Sequence, residues 1–231
     1  MTVRFHLFPF RTQQLSSLVP KIVSWKRLVK IGSRRLEYAA LGEISGRLSC
    51  IREKKVVKME LLKIETQRLL LRQFAIGDAE DVFAILSDEQ TTLDCGGYHA
   101  FEEMDEEYER LMQKFAAQTR YSIVCRETGR VIGMMSMMDA ERAVPGWEFG
   151  IEIAPDARRR GYAQEALQAV VQTYFEKTNA EMFTGGHYAY NLASGKLLKA
   201  VGFQYEGVEH KAMRHATRGA TDLVCYYIEK G

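Results

Sequence analysis

The sequence predicts an α/β (α+β) fold for residues 59–231. Apolar residues repeat with alternating strand and helix periods from Thr66 onward. One strand-like run, residues 146–155, passes through a small glycine-containing turn into a helix-like run, residues 163–175. The chain of 231 residues is 46% hydrophobic and 27% charged, which is typical of globular proteins in water.

The first half of this region begins with a strand over residues 68–74. A helix that Asp78 caps should follow, with apolar residues at helical spacing at Ala79, Val82, Phe83 and Leu86. Residues 101–115 then place six apolar side chains on one face, which predicts an amphipathic helix. These six are Phe101, Met104, Tyr108, Leu111, Met112 and Phe115.

The second half consists mainly of strands. Trp147, Phe149, Ile151 and Ile153 alternate with Glu148, Gly150 and Glu152, which is strand periodicity. The elements predicted from here on are strands over 121–126, 130–138 and 146–153, the helix over 163–175, a strand over 181–188, a helix from an Asn191 cap to Gly202, and strands over 205–208 and 223–229.

A basic segment precedes the predicted domain. Residues 1–58 carry 13 Lys and Arg and three Asp and Glu, whereas residues 59–231 carry 19 Lys and Arg and 27 Asp and Glu. The segment fits translated sequence upstream of a true start at Met59, an Arg-rich targeting sequence, or a basic arm for nucleic acid or ribosome contact. We expect the first, and we treat residues 1–58 as a basic N-terminal extension, either disordered or not part of the native protein, to which no fold is assigned.

Composition also limits the functional classes. The sequence has four widely spaced cysteines and no C-x-x-C pair, so we expect reduced thiols and no metal site. The four are Cys50, Cys95, Cys125 and Cys225. No run approaches the length of a transmembrane helix, which predicts a cytoplasmic protein without membrane contact. The net charge of −8 in residues 59–231 either attracts cationic substrates such as amines or serves solubility.

The turn between strand and helix carries the strongest functional signal. Its sequence, RRRGYA, comprises Arg158, Arg159, Arg160, Gly161, Tyr162 and Ala163. A helix that begins at a small turn presents unpaired N–H groups and the positive end of its dipole, which together bind anions such as phosphate. The pattern Arg158-x-x-Gly161-x-Ala163 resembles the Q/R-x-x-G-x-G/A signature of the GNAT (Gcn5-related N-acetyltransferase) superfamily.

Further residues strengthen this resemblance over nearly all of residues 64–231. The run 150–155 and the pairs Asn191/Ser194 and Gly202/Phe203 resemble motifs of the ribosomal-protein N-terminal acetyltransferase-like (RimJ/RimL-like) branch. The resemblance implies the GNAT fold, a central mixed, mostly antiparallel twisted sheet that is splayed at the cofactor strand and flanked by helices. It also implies acetyl-CoA as the acetyl donor and no metal.

The resemblance assigns cofactor contacts by position. Residues 158–163 would surround the pyrophosphate, the backbone of Ile151 and Ile153 would hold the pantetheine arm, and Asn191 would cap its helix and touch the cofactor.

Catalysis requires an amine that is neutral when it attacks a thioester, and a carboxylate can accept its proton. Glu148 is the first candidate base by its place in the branch pattern, and Glu152 is the second, although either could be a solvated strand carboxylate. Many members of the superfamily carry a Tyr where this chain has Leu198. Ser194 is therefore the candidate proton donor to the departing thiolate, unless it is an ordinary helix-start serine.

The sequence thus predicts an N-acetyltransferase that transfers acetyl to a primary amine by direct attack. The acceptor would be a protein N-terminus or a small molecule, with no nucleic acid as partner, and the protein would be a monomer or a homodimer. The alternative is a GNAT-like module that binds CoA in a regulatory role without turnover. Tyr98, Trp147 and Tyr190 are candidates for the substrate side, and His187 either lines the acceptor pocket or is a satisfied polar residue.

Overall fold

The computed structural model describes residues 61–231, so the predicted extension over residues 1–58 lies outside the described residues. The described part contains one sheet of eight strands. The strands are β1 (Ile64–Glu65), β2 (Leu69–Gln73), β3 (Arg120–Cys125), β4 (Val131–Asp139), β5 (Gly146–Ile153), β6 (Met182–Tyr188), β7 (Gln204–His215) and β8 (Gly219–Glu229).

The sheet is mixed and mostly antiparallel, as predicted. The strand order is β1-β2-β3-β4-β5-β6-β8-β7, and every neighbouring pair is antiparallel except β5 and β6, which are parallel. A parallel pair needs a crossover connection, and the segment between β5 and β6 contains a helix for this purpose.

Five α-helices accompany the sheet within residues 61–231. They are α1 (Ala79–Leu86), α2 (Glu89–Cys95), α3 (Glu106–Ala117), α4 (Tyr162–Lys177) and α5 (Leu192–Val201). The sequence analysis missed α2, whose EQTTLDC sequence has little apolar periodicity. It also began α3 at residue 101, whereas the carboxylate of Asp105 accepts hydrogen bonds from the N–H groups of Glu107 and Tyr108 and starts the helix there.

The helices cover both faces of the sheet. On one face, Tyr174 of α4 packs edge-on against Trp147 of β5 and Phe183 of β6, with ring centroids 5.4 and 6.0 Å apart. On the other face, the guanidinium carbon of Arg120 in β3 lies 3.8 Å from the centre of the Phe115 ring of α3. Side chains of β5 alternate between the two faces, so the face of Trp147 is opposite to the face of Glu148.

The last hairpin is longer than predicted. The predicted strand 205–208 covers the first part of β7, which continues to His215, because β7 is a largely exposed edge strand without apolar alternation. The pairing with β8 shifts between Glu209 and Met213. The β7 residues between these two positions form a bulge. Asp222 of β8 holds the bulge in place, since its carboxylate accepts hydrogen bonds from the Lys211 N–H at 2.8 Å and from His210 Nδ1 at 3.0 Å.

Asp78 precedes α1, but its side chain does not cap that helix. Its carboxylate instead accepts hydrogen bonds from both terminal nitrogens of Arg72 at 2.6 and 2.8 Å, from Ser122 Oγ at 2.6 Å and from the Ala75 N–H at 3.0 Å. Burial pushes the pKa of Asp78 upward, but the hydrogen bonds from Arg72, Ser122 and Ala75 outweigh it, so the pKa lies below its ordinary value. This ion pair ties the start of α1 to β2 and β3.

A second buried ion pair joins β3 to β5. The Arg120 guanidinium lies 3.6 Å from the carboxylate of Glu152, and both side chains are more than nine-tenths buried. Burial raises the pKa of Glu152, and the attraction of Arg120 opposes this shift. Burial likewise lowers the pKa of Arg120, against the attraction of Glu152. Each of the two side chains therefore needs the opposite charge of its partner to remain ionised inside the domain.

Replacing the Asp78 carboxylate should cost stability in a pH-dependent way. Asp78→Asn should lower the free energy of unfolding by about 1–3 kcal/mol near neutral pH, because it leaves Arg72 facing a neutral amide. The folded-state pKa of Asp78 is below the unfolded value of about 3.9. The stabilisation by the Asp78 carboxylate is therefore present above that pH and is lost as the pH falls through the folded-state pKa. Urea unfolding near neutral pH and at about pH 3 measures both effects.

Asp156→Asn is the matched control, because Asp156 forms an exposed ion pair with Arg130. It should change stability by less than about 1 kcal/mol. Equal losses in the two variants would contradict a structural role for Asp78.

Breaking the pair between Arg120 and Glu152 should destabilise the domain more strongly. Arg120→Met should lower the free energy of unfolding by about 3–5 kcal/mol, because it leaves a buried carboxylate without compensation. Adding Glu152→Gln to that variant should recover part of the loss, and a double-mutant cycle measures the coupling. Additive losses would refute the coupling. The exposed Arg130 provides the control substitution Arg130→Met, which should cost less than about 1 kcal/mol.

Candidate active site

The candidate site lies where the two parallel strands separate. β5 and β6 pair through three residues each, and the last pair is Glu148 with Thr184. Beyond this pair, residues 149–153 of β5 stay paired with β4, and residues 185–188 of β6 stay paired with β8. We call the resulting gap between these two segments the fork. It corresponds to the splay that the sequence predicts at this strand.

One edge of the fork presents the backbone of Ile151 and Ile153. The Ala154 N–H donates to the Ile132 carbonyl of the β4 side at 2.9 Å. Backbone polar groups alternate in direction along a strand, so those of Ile153 and Ile151 point away from β4, toward the fork. The Ile153 carbonyl accepts a hydrogen bond from Arg158 Nε at 3.2 Å, in agreement with this direction. Both residues therefore lie where the sequence analysis expected backbone contacts to a ligand.

A helix start without a side-chain cap lies beyond the end of β5. Three other helices begin at residues whose side chains accept N–H groups of the first turn, namely Asp88, Asp105 and Asn191. α4 instead begins at Gly161, which has no side chain, and no side-chain hydrogen bond caps this helix. The φ of Gly161 is +80°, which favours glycine. This end of α4 can bind an anion through its N–H groups.

The three arginines before Gly161 differ in their surroundings. Arg158 points its guanidinium at α2, where it donates to the Asp88 carboxylate at 2.5 Å and to the Thr91 hydroxyl. The positive charge of Arg158 is thus compensated by a carboxylate within the domain. Arg159 and Arg160 are exposed.

Contacts from the segment just before β2 support the same turn, and they were not predicted from the sequence. The Arg68 guanidinium lies 4.6 Å from the centre of the Tyr162 ring and donates to the Arg160 carbonyl at 2.9 Å and to the Glu165 carboxylate at 2.6 Å. The Thr66 hydroxyl also donates to Glu165. More than ninety residues separate these partners in the chain, so no local pattern could reveal them.

The start of α5 forms the other border of the fork. Asn191 caps the helix as predicted, since its Oδ1 accepts the Ser194 N–H at 3.1 Å, and its Nδ2 donates to the Asp94 carbonyl at 3.1 Å. Ser194 is half-buried, whereas Leu198, one turn later on the same helix face, is buried in the core. Ser194 is thus a half-buried polar residue on the same helix face as the buried Leu198.

The two candidate bases differ in their environments. Glu148 is half-buried and lies at the last residue pair before the fork opens. Glu152 is buried and engaged with Arg120, and the burial that raises its pKa disfavours its charged form. Glu148 is therefore the better placed of the two to receive a proton from a substrate.

Three buried polar atoms on β6 have no hydrogen-bond partner among the described residues. They are Thr184 Oγ1, His187 Nε2 and Tyr188 Oη. The His187 Nδ1 donates to the Tyr188 carbonyl at 2.8 Å, so the unsatisfied position is Nε2, and one nitrogen is satisfied as the sequence analysis considered. Unpaired polar groups are costly inside a protein, and a ligand is one common reason for them. Thr184 and Tyr188 share one face of β6, whereas His187 lies on the other face, where its Nε2 is next to Gly195 of α5.

Aromatic residues form a wall on the side of α2. The Tyr188 and Tyr190 rings stack with centroids 5.6 Å apart, and the Tyr190 hydroxyl lies 2.7 Å from His215 Nε2 and donates to the Leu93 carbonyl. Tyr98 is nearby, and burial raises its pKa. Trp147, a predicted substrate-side residue, lies instead on the opposite face against Tyr174, because side chains alternate along β5.

Two kinds of structural feature are absent from residues 61–231. None of the helices there combines the length and the apolar content that crossing a bilayer requires. Nor do those residues contain a group of three or more His, Cys, Asp or Glu side chains placed to hold a metal ion.

Comparison with known proteins identifies the family. Residues 68–204 match the model of the acetyltransferase (GNAT) domain. The chain is 33% identical to an uncharacterized N-acetyltransferase, YoaA, from Bacillus subtilis (strain 168), over 65% of this chain and 87% of that protein.

Solved structures have the same fold. The ribosomal-protein-S5-alanine acetyltransferase of Vibrio fischeri matches with a TM-score of 0.62 and 15% identity, over 74% of this chain and 97% of that one. The spermidine N-acetyltransferase of Vibrio cholerae, in complex with CoA and spermine, matches with a TM-score of 0.61 and 20% identity, over 71% and 97%. With a family model that covers more than half of its length, the chain belongs to the GNAT acetyltransferase family.

Proposed function

We propose that this protein binds acetyl-CoA in the fork and transfers the acetyl group to a primary amine by direct attack. The observation that carries the proposal is the separation of β5 from β6 directly after the pair Glu148/Thr184, with an uncapped helix start at the other end of the opening. A carboxylate and an anion site thus border one continuous gap in the sheet.

The described residues could hold two chemical parts of acetyl-CoA, the pyrophosphate and the pantetheine arm. The N–H groups at the start of α4, around Gly161, Tyr162 and Ala163, would receive the pyrophosphate, with Arg159 and Arg160 adding charge. The backbone of Ile151 and Ile153 would pair with the amides of the pantetheine arm. Asn191 would contact the same arm beside the cap that it forms.

Direct transfer needs a group that accepts the amine proton and a group that stabilises the departing thiolate. The amine nitrogen forms a bond to the thioester carbon, the bond from that carbon to sulfur breaks, and the sulfur leaves with the electron pair. Glu148 accepts the proton that the amine nitrogen loses, either directly or through a water. Ser194 donates a hydrogen bond to the departing thiolate, because Leu198 has no hydroxyl for this task. The bound acetyl-CoA supplies the activated acyl group.

The geometry supports Glu148 over Glu152 as the base. Glu148 lies at the apex of the fork, where a thioester between β5 and β6 would end. Its neighbour across the pair, Thr184, has a buried hydroxyl without a partner in the described residues, which could orient a water beside the carboxylate. Glu152 already compensates the charge of Arg120.

The acceptor is a protein N-terminus or a small amine. Two structural neighbours are named for such acceptors, a ribosomal protein and spermidine, and both are less than 25% identical to this chain. The excess of acidic residues in residues 59–231 favours a cationic acceptor of either kind through long-range attraction. A panel of N-terminal peptides, polyamines, amino acids and aminoglycosides, with detection of the released thiol, distinguishes them.

A regulatory module that binds CoA without turnover is the second candidate, because Leu198 stands where many relatives carry a tyrosine. Glu148 and Ser194 beside the fork support the enzyme instead. Thiol release with any amine of the panel would exclude the module. CoA binding without release by any amine would exclude the enzyme.

The proposed donor site predicts a specific loss of CoA binding. Gly161→Trp should weaken CoA binding at least tenfold in calorimetry, because the indole would cover the N–H groups at the start of α4 and strain a backbone with φ of +80°. Gly129→Trp is the control, since Gly129 also has a positive φ and lies in a hairpin turn with open space around it. Unchanged binding by the Gly161 variant would refute this site.

The proposed base predicts a changed pH profile. Glu148→Gln should lower kcat by about a hundredfold or more near neutral pH and by less at high pH, where more of the amine is already neutral. Steady-state rates across the pH range provide the measurement. Glu229→Gln, at the exposed end of β8, should leave the profile unchanged. A Glu148 variant with the wild-type profile would exclude Glu148 as the base.

A further inference from the structure

Arg68 is a charged residue next to the proposed phosphate site that takes no part in the proposed reaction. Arg68 directly precedes β2, far in sequence from the turn 158–161. Its guanidinium uses Nε and Nη2 for the Glu165 carboxylate, both at 2.6 Å, and Nη1 for the Arg160 carbonyl at 2.9 Å. One planar group thus bonds both to α4 and to the turn before it.

The bond to the Arg160 carbonyl fixes one peptide unit. Residues 61–231 contain no cis peptide bond, so the Arg160 C=O and the Gly161 N–H point in opposite directions. Because the carbonyl points at the Arg68 guanidinium, the Gly161 N–H points away from that guanidinium.

The neighbouring contacts hold Arg68 itself in place. The Glu165 carboxylate accepts the Arg68 N–H at 3.0 Å as well as the guanidinium, and the Thr66 hydroxyl donates to the same carboxylate. The guanidinium also lies over the Tyr162 ring. A Cβ at position 161 would lie 3.4 Å from Arg68 Nη2, so the guanidinium packs directly beside Gly161.

We propose that Arg68 is a positioning residue for the donor site, which holds the Arg160–Gly161 peptide so that the Gly161 N–H faces the pyrophosphate of acetyl-CoA. This inference rests on the proposed function, and it adds a residue outside the 158–163 motif to the recognition of the donor. An arginine is required because a lysine ammonium cannot bond to Glu165 and to the Arg160 carbonyl in the same planar geometry.

The test separates orientation from charge. Arg68→Lys keeps the positive charge and Arg68→Gln removes it. Both variants should raise the calorimetric Kd for CoA about tenfold, because both lose the planar bond to the Arg160 carbonyl. Arg126→Gln is the matched control, since Arg126 is an exposed arginine that donates to the Thr66 carbonyl but not to the turn. The control should bind CoA within about twofold of the wild type.

A truncated donor provides a second readout. S-acetylpantetheine ends before the pyrophosphate, so kcat/KM for this donor should be the same in the wild type and in Arg68→Lys, whereas kcat/KM for acetyl-CoA should fall about tenfold. A loss of equal size for both donors would mean that Arg68 merely supports the fold, and it would overturn the inference. Wild-type CoA affinity in Arg68→Lys would overturn it as well.

A milder variant covers the case in which the Arg68 substitutions do not fold. Glu165→Gln removes the negative charge that holds the Arg68 guanidinium, so it should also weaken CoA binding. Its kcat/KM for S-acetylpantetheine should equal that of the wild type. Wild-type CoA affinity in this variant would count against the inference. If the wild type itself fails to bind CoA, the proposed function fails with it. If the wild type binds and all variants bind equally, the role of Arg68 alone fails.

Discussion

The organisation of this domain depends on the point at which β5 and β6 stop pairing. A parallel pair that continued past Glu148 and Thr184 would consume the backbone groups of Ile151 and Ile153 in the sheet. Because each strand keeps its outer partner, β4 or β8, the separation leaves both strands ordered although their facing edges no longer pair with each other. The helices then complete the opening, with the start of α4 at one end and the start of α5 along the side of β6.

Buried charges hold the elements around this opening. Asp78 links α1 to β2 and β3, and Glu152 is paired with Arg120 beneath α3. Arg158 bonds to Asp88, which itself caps α2, so the turn before α4 is fixed to the helix on the other side of β5. Several residues that look like surface charge in the sequence are therefore parts of the frame, and the exposed arginines of the turn are Arg159 and Arg160.

The sequence predicted those features that depend on local periodicity or on family motifs. The alternation of Trp147 to Ile153, the Asn191 cap and the glycine at the start of α4 all correspond to observed elements. The helix α2 has no apolar stripe, and β7 is exposed at the edge of the sheet, so neither leaves a strong pattern. The contacts of Arg158 with α2 and of Arg68 with α4 join distant segments, which a single sequence does not encode in any local spacing.

The irregular hairpin of β7 and β8 has a consequence for the behaviour of the protein in concentrated solution. An open, regular edge strand can pair with the edge of another molecule and begin aggregation. The extra residues around Lys211, which Asp222 holds out of register, interrupt the row of N–H and C=O groups along β7. At the opposite end of the described sheet, β1 has two residues and offers little length for pairing. The same bulge that shapes the hairpin thus also makes this edge a poor template for a strand from another molecule.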